Sequence, residues 1–266
     1  MPQNPGALPK RVVGVIPVRL ESTRLARKPL LDLCGHPIMA WVYARARASG
    51  ELSELLIATD SDEITEWCRS LNIPSMITSP AHRSGTDRLH EVMIMQRRMG
   101  EPGDIYVNIQ GDEPAVDAEH IRRLLDPFAR DSETEVTTLK IALPPAGSGD
   151  PNKVKVVTDG AGRALYFSRC PIPYERDAEG NAAYFRHLGL YAYSARALER
   201  FHSFRPGRLE RAEKLEQLRF LENGIAIQVE ETEKDTIGVD TAEDLKLARE
   251  HFTRAAIPFP AIESMR

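Results

Sequence analysis

The sequence predicts an α/β protein whose mostly parallel sheet is flanked by helices. Three observations carry that prediction. Short β-branched apolar runs recur along the chain, stretches with helical spacing separate them, and polar or acidic loops close the runs. The first run, Val12–Ile16, stops at Pro17, and four cations (Arg19, Arg24, Arg27, Lys28) follow within eleven residues, before Pro29.

The elements follow in order. Ile38, Trp41, Val42 and Ala46 predict a helix over Pro37–Ser49, ended by Gly50. Leu55–Thr59 reads as a second strand, with Asp60-Ser61-Asp62 capping a helix through Ile64, Trp67, Cys68 and Leu71. Asp60 taken singly is expected to be part of that cap. Ile73–Thr78 is a short third strand, Ser79–Arg88 a polar loop, and Leu89, Val92 and Met93 mark the next helix. Asp104–Ile109 is a fourth strand running into Gln110-Gly111-Asp112-Glu113-Pro114, followed by a helix with Ile121, Leu124, Leu125 and Phe128. The middle is richer in β signals: a Pro/Gly/Asp loop over 144–152, a hairpin from Lys153–Thr158 and Ala164–Phe167, an exposed loop over 170–181, and a strand at Leu188–Tyr193. Glu210–Glu222 has an amphipathic helical pattern with Leu215, Leu218 and Leu221 on one face. Ile225–Val229 is the last strand, and Thr241 with Asp244 forms a capping box for a final helix. The whole reads as one α/β domain, 1–266, with a first half over 11–143, a middle region over 144–230 and a C-terminal loop and helix over 231–266.

Bulk properties exclude several classes. A formal charge of −4 gives no general attraction to nucleic acid or anionic membranes, so phosphate affinity must come from a local cation cluster. Three cysteines (Cys34, Cys68, Cys170) without a CxxC pair argue against a disulfide framework or zinc knuckle and suit a reducing cytoplasm. The first ten residues are expected to be a frayed terminus without the apolar core of a signal peptide. No run is long and apolar enough to span a bilayer.

The chemistry is expected at the carboxyl ends of the strands, where open α/β sheets bind ligands. A cationic loop there suits a polyphosphate. Asp112 and Asp240 follow strands, and Mg²⁺ needs only one or two protein carboxylates when phosphate and water complete its shell. Asp112 lies between a tight turn and a proline, and Asp240 precedes a Thr able to cap by itself. Together these features suggest a nucleoside triphosphate with Mg²⁺. GxxxxGK[ST] is absent, as is GxGxxG after the first strand, which leaves P-loop and dinucleotide enzymes without support.

The blocks IPVRLESTRLARKPL, ATD, HRSGTDR, VNIQGDEP, NKVKVVTD, ALYFSR, IPY, RHLGLYAY, LEQLRFLENG and GVDTAEDL occur in this order over nearly the whole chain. In them the sequence resembles the 3-deoxy-manno-octulosonate (Kdo) cytidylyltransferases. The resemblance implies a Rossmann-like sheet of the nucleotide-diphospho-sugar transferase type. It also implies transfer of CMP from CTP to the anomeric hydroxyl of Kdo for lipopolysaccharide biosynthesis, with pyrophosphate leaving. By resemblance Arg19 and Lys28, with Arg24, hold the triphosphate, Asp112 and Asp240 ligate Mg²⁺, and Ser84 and Gly85 line the cytosine pocket. Gln110, Arg169, His187, Tyr191, Glu216 and Gln217 take the sugar acid, Arg169 pairing with its carboxylate. A cytoplasmic homodimer is implied, with sugar binding and dimerisation both assigned to 144–230.

Without the resemblance, His187 reads as a structural histidine, Tyr191 as sheet packing and Glu216 as a solvated helix acid. Arg45 and Arg47 read as a solvated helix face. The family commonly has Pro-Gly where this chain has Ala26-Arg27, so the loop before Lys28 loses one rigid and one permissive residue. Two other readings stand beside the first: transfer to a related 2-keto sugar acid such as 8-amino-Kdo, and a nucleotide-binding protein without turnover.

Overall fold

The computed structural model describes residues 10–21, 25–82, 84–177, 180 and 182–260. In chain order the strands are β1 (Val12–Val18), β2 (Asp32–Leu33), β3 (His36–Pro37), β4 (Glu54–Thr59), β5 (Ser75–Ile77) and β6 (Ile105–Asn108). They continue with β7 (Val136–Leu143), β8 (Lys155–Thr158), β9 (Ala164–Ser168), β10 (Tyr184–Ser194) and β11 (Ile227–Glu231). The helices are α1 (Ile38–Arg47), α2 (Asp62–Ser70), α3 (Gly85–Met99) and α4 (Ala118–Arg130). They are followed by α5 (Ala195–Ser203), α6 (Arg208–Glu213), α7 (Leu218–Glu222) and α8 (Ala242–Arg254).

The main sheet runs β11-β7-β10-β6-β1-β4-β5, with the β8–β9 hairpin attached through β10. β10 is antiparallel to both neighbours, and the other pairings along this path are parallel. Strands covered on both faces need no apolar–polar alternation, which is why β1 is apolar throughout. Ile16, Ile57, Val107 and Leu139 meet Met39, Val42, Ile64, Cys68, Ile121 and Leu124 from α1, α2 and α4 on one face. Val13, Val15, Leu56 and Tyr106 meet Leu89, Val92, Leu198, Phe201 and Leu218 from α3, α5 and α7 on the other. A third cluster docks Leu245, Ala248 and Phe252 of α8 against Trp41 and the β2–β3 hairpin residue Leu33. That docking fixes Asp240, just before α8, beside the end of β6.

The structure adds elements the sequence reading lacks, among them the β2–β3 hairpin, β7 and α5. β7 carries Thr137, Thr138 and Lys140, which interrupt its apolar run, and α5 follows β10 with Ser194 as its cap. It also corrects two. The pattern over 210–222 is not one helix. Lys214 adopts a left-handed backbone (φ 55°, ψ 45°) and separates α6 from α7. The polar loop after β5 is shorter than expected, because α3 starts at Gly85 with the Ser84 side chain accepting from Asp87 N. The expected first residues and the 170–181 loop fall partly outside the described residues.

Candidate functional site

Two cavities lie along the carboxyl-end side of the sheet. The larger, about 900 Å³, is lined by Arg19, Leu20, Glu21, Ala26, Arg27, Asp60, Ser61 and Pro80, at the ends of β1 and β4. The smaller, about 250 Å³, sits where β6 and β10 meet. Its lining includes Gly85, Asn108, Gln110, His187, Tyr191, Glu216 and Gln217.

Near the end of β6 is an ionic centre. Lys28 Nζ lies 2.6 Å from Asp112 Oδ2 and 3.0 Å from Asp240 Oδ1. Burial disfavours charge on Lys28, but the two carboxylates outweigh it and hold the ammonium pKa above its ordinary value. Three segments meet here. Lys28 opens a 3-10 turn over Lys28–Leu30, Asp112 lies in the loop after β6, and Asp240 precedes α8. The Asp112 loop is pinned where it arises. Val239 N donates to Asp112 O at 2.9 Å, and Arg45 Nε donates to Val116 O at 2.6 Å. Arg45 also pairs with Asp117, the α4 cap, so it is a clamp rather than part of a solvated face. Gly111 is needed for close approach, since a Cβ there would sit 2.9 Å from Val18 Cγ2 and 3.0 Å from Pro17 O.

The two carboxylates converge on a single cation, as their shared ammonium shows. This hard-oxygen pair fits the Mg²⁺ expectation, because such an ion draws the rest of its shell from water and phosphate. Among the described residues no group of three or more His, Cys, Asp or Glu is arranged to hold a metal by itself.

The smaller cavity concentrates unsatisfied polarity. Among the described residues, Asn108 Oδ1, Tyr191 OH, Glu216 Oε1 and Gln217 Nε2 are buried without a hydrogen-bond partner, and all four residues line it. Buried polar atoms normally find partners, so this set is suited to a hydroxyl-rich ligand. Glu216 and Gln217 reach this cavity from the segment between α6 and α7 that follows the break at Lys214. Burial, with Asp87 adding to it, pushes the Glu216 carboxyl up to about 7. His187 is driven down to about 3, by burial first and by Arg186 next, and is therefore neutral. Its Nε2 lies 3.0 Å from Thr138 Oγ1, and Gln110 Nε2 donates to Gly189 O at 3.1 Å. Burial likewise raises Tyr191.

Other expected residues lie elsewhere. Gly85 lines the smaller cavity, not the larger one, because α3 begins over β1 and β6. A Gly85 Cβ would be 3.2 Å from Pro17 Cγ and 3.4 Å from Asn108 Nδ2. Arg169 lines neither cavity. Its guanidinium donates to Glu213 O at 2.8 Å and Pro151 O at 2.9 Å, while Lys155 Nζ holds its carbonyl at 2.6 Å. Arg24 lies outside the described residues. Arg27 has a left-handed backbone (φ 55°) of the kind glycine tolerates best, and its guanidinium pairs with Glu63. Asp60 is not the α2 cap, since Ser61 takes that role by accepting from Ile64 N. Asp60 instead pairs with the buried Arg88 at 2.8 Å. Asn108 and Thr138 were missed, although a polar residue ending the apolar β6 was a usable signal.

A mostly parallel sheet with a cationic first loop and paired carboxylates at its strand ends has the architecture of the nucleotidyltransferase class. A solved Bacillus anthracis protein described as a glucose-1-phosphate thymidylyltransferase shares this fold, with a TM-score of 0.64 at 15% identity over 90% of this chain and 94% of that one. The chain belongs to the cytidylyltransferase family, whose model matches residues 13–232. It is 52% identical over 235 residues to the 3-deoxy-manno-octulosonate cytidylyltransferase of Acidobacterium capsulatum, covering 88% of this chain and 94% of that protein. The protein of the same name from Lawsonia intracellularis is 45% identical over 89% of this chain and 92% of its own length. A solved CMP:2-keto-3-deoxy-manno-octonic acid synthetase complexed with CTP superposes with a TM-score of 0.87 at 39% identity, covering 92% and 99% of the two chains.

Proposed function

We propose that the protein activates Kdo with CTP, giving CMP-Kdo and pyrophosphate for lipopolysaccharide biosynthesis. The observation that carries this reading is the Lys28–Asp112–Asp240 centre near the end of β6, with the larger cavity at the ends of β1 and β4 and the smaller where β6 and β10 meet. CTP would occupy the larger cavity and the sugar acid the smaller. The anomeric oxygen attacks the α-phosphorus, a P–O bond to the β-phosphate oxygen breaks, and the hydroxyl proton passes to solvent. Arg19 and Lys28, with Arg24, would hold the triphosphate, Lys28 exchanging its carboxylate partners for phosphate oxygens. Ser84 and Gly85 would flank the cytidine where the two ligands meet. Asp112 and Asp240 would hold Mg²⁺, which neutralises phosphate charge and acidifies a bound hydroxyl. Gln110, His187, Tyr191, Glu216 and Gln217 would orient the sugar hydroxyls, and neutral His187 can do so without attracting anions. Arg169, tied to main-chain carbonyls, would reach the Kdo carboxylate only by giving up those bonds. Catalysis is then mainly positioning and charge neutralisation.

We also read the protein as cytoplasmic and homodimeric. Among the described residues no helix is long and apolar enough to cross a membrane, and the three cysteines are free. A partner on the β8–β9 side would cover Leu165 and Tyr174, which are 61% and 85% exposed. Sedimentation would test the dimer. Pyrophosphate release that requires CTP, Kdo and Mg²⁺ together is the expected activity, and its absence would refute the assignment. Comparing kcat/KM for Kdo and 8-amino-Kdo fixes the acceptor.

A further inference from the structure

Asp60 is an acidic residue on the wall of a cavity read above as the seat of a tetra-anionic nucleotide. An acid beside phosphates repels them unless a metal bridges the two, and that role is assigned above to Asp112 and Asp240, so Asp60 belongs at a donor-bearing part of the ligand. Strand order says which part. Counting from β6, whose end leads to Asp112, β1 comes next and β4, which ends just before Asp60, is second. Two strand spacings are roughly 10 Å, a span that carries a nucleotide from its α-phosphorus past the ribose to the base. The carboxylate is also held firmly. Arg88, only 1% exposed, donates to Asp60 Oδ2 at 2.8 Å and bonds Thr78 Oγ1, while Thr78 N donates to Thr59 O at 2.8 Å. The ends of β4, β5 and α3 are thereby locked together. Among the described residues no hydrogen bond reaches Asp60 Oδ1.

We propose that Asp60 is a specificity-determining residue that selects cytosine. Its fixed carboxylate accepts a hydrogen bond from the exocyclic amine, and it repels the carbonyl oxygen that uracil presents at the same position. This rests on the assignment of CTP to the larger cavity. Arg88 matters because it fixes which oxygen is available. In Asp60→Asn the guanidinium keeps the amide oxygen, so the amide NH₂ faces the ligand, meeting the cytosine amine donor to donor and suiting uracil.

The test compares kcat/KM for wild type and Asp60→Asn with CTP, UTP, 2′-deoxy-CTP and the triphosphate of pyrimidin-2-one riboside, which lacks the amine. The expected result is a roughly 10–100-fold loss with CTP in the variant, little change with the amine-free analogue, and a gain with UTP. An equal loss on CTP and the amine-free analogue overturns the proposal. So does a loss that vanishes with 2′-deoxy-CTP, because the carboxylate would then serve the ribose. If Asp60→Asn melts below the assay temperature, calorimetric binding of the same nucleotides below its melting point is read in the same way, with Arg88 still in place to orient the amide. A wild type without pyrophosphate release would refute the assigned activity instead, and calorimetric binding of the same nucleotides to both proteins would still decide the role of Asp60.

Discussion

Glu216→Gln tests the electrostatics of the smaller cavity through stability alone. In the folded protein the Glu216 carboxyl is raised to about 7 from an ordinary value of 4.5. The unfolded chain therefore ionises first as pH rises, and the folded state holds the extra proton between those values. Stability from this group is complete below about pH 4.5, falls through the window, and is lost above about pH 7. Each unit is worth about 1.4 kcal/mol, so the full penalty at pH 8 is about 3 kcal/mol, less whatever solvent at the cavity mouth recovers. Glutamine keeps the shape and carries no charge. The variant should thus match wild type near pH 4.5 and exceed it by about 2–3 kcal/mol at pH 8. In a chain of this size that is a rise in Tm of several degrees. Urea unfolding at half-unit pH intervals reads the difference directly and cancels the other groups that titrate in both proteins. Two parallel curves would refute the reasoning, because a solvent-exposed acid would give that result.

Three further predictions follow from the site. Gly111→Ala forces a Cβ to within 3.0 Å of Pro17 O. It should displace the Asp112 loop, lowering kcat/KM at least tenfold and stability by about 1–3 kcal/mol; an unchanged rate would mean the loop has room. Lys28→Met removes the cation that competes for Asp112 and Asp240, so Mg²⁺ added without nucleotide should raise the variant's Tm more than the wild type's. Equal shifts in thermal scans would separate the ammonium position from the metal position. Arg27→Gly relieves a left-handed residue at a gain of about 1 kcal/mol, offset in part by the exposed Glu63 pair. The urea midpoint should hold or rise slightly, and a loss beyond about 1 kcal/mol would contradict the strain argument.

Sequence pattern reveals this protein best where one physical term dominates. Fully buried parallel strands announce themselves as unbroken apolar runs, so β1, β4 and β6 were legible, as was the Thr241–Asp244 box at the start of α8. β7 was not, because two of its buried residues are threonines whose hydroxyls bond carbonyls, Thr137 to Leu124 O and Thr138 to Leu188 O or Leu190 O. The α6–α7 break left no mark, since Leu215, Leu218 and Leu221 keep helical spacing directly after it and a left-handed lysine has no compositional signature. The same limit applies to Arg45, Arg88 and Asp60. A charged residue reads as solvated until its tertiary partner is known. Asp112 and Asp240 could be suspected from strand-end position alone, whereas Gln110, His187, Tyr191 and Gln217 were singled out through family resemblance.

β10 has one further consequence. Leu188 faces Leu139 and Tyr191 faces Thr138, so three steps on β10 meet one step on β7, and Gly189 and Leu190 have no cross-strand partners there. Because the surplus is two residues, the side-chain alternation survives. Leu188 and Leu190 stay in one core, while Tyr191 and Tyr193 stay in the other. A version of this strand without Gly189 and Leu190 would zip into a continuous ladder on the same faces, and the Gly189 carbonyl that receives Gln110 would be gone. The strand could therefore be made more regular by deletion without inverting its core. The slip places the Gly189 carbonyl where Gln110 reaches it, at the wall of the smaller cavity.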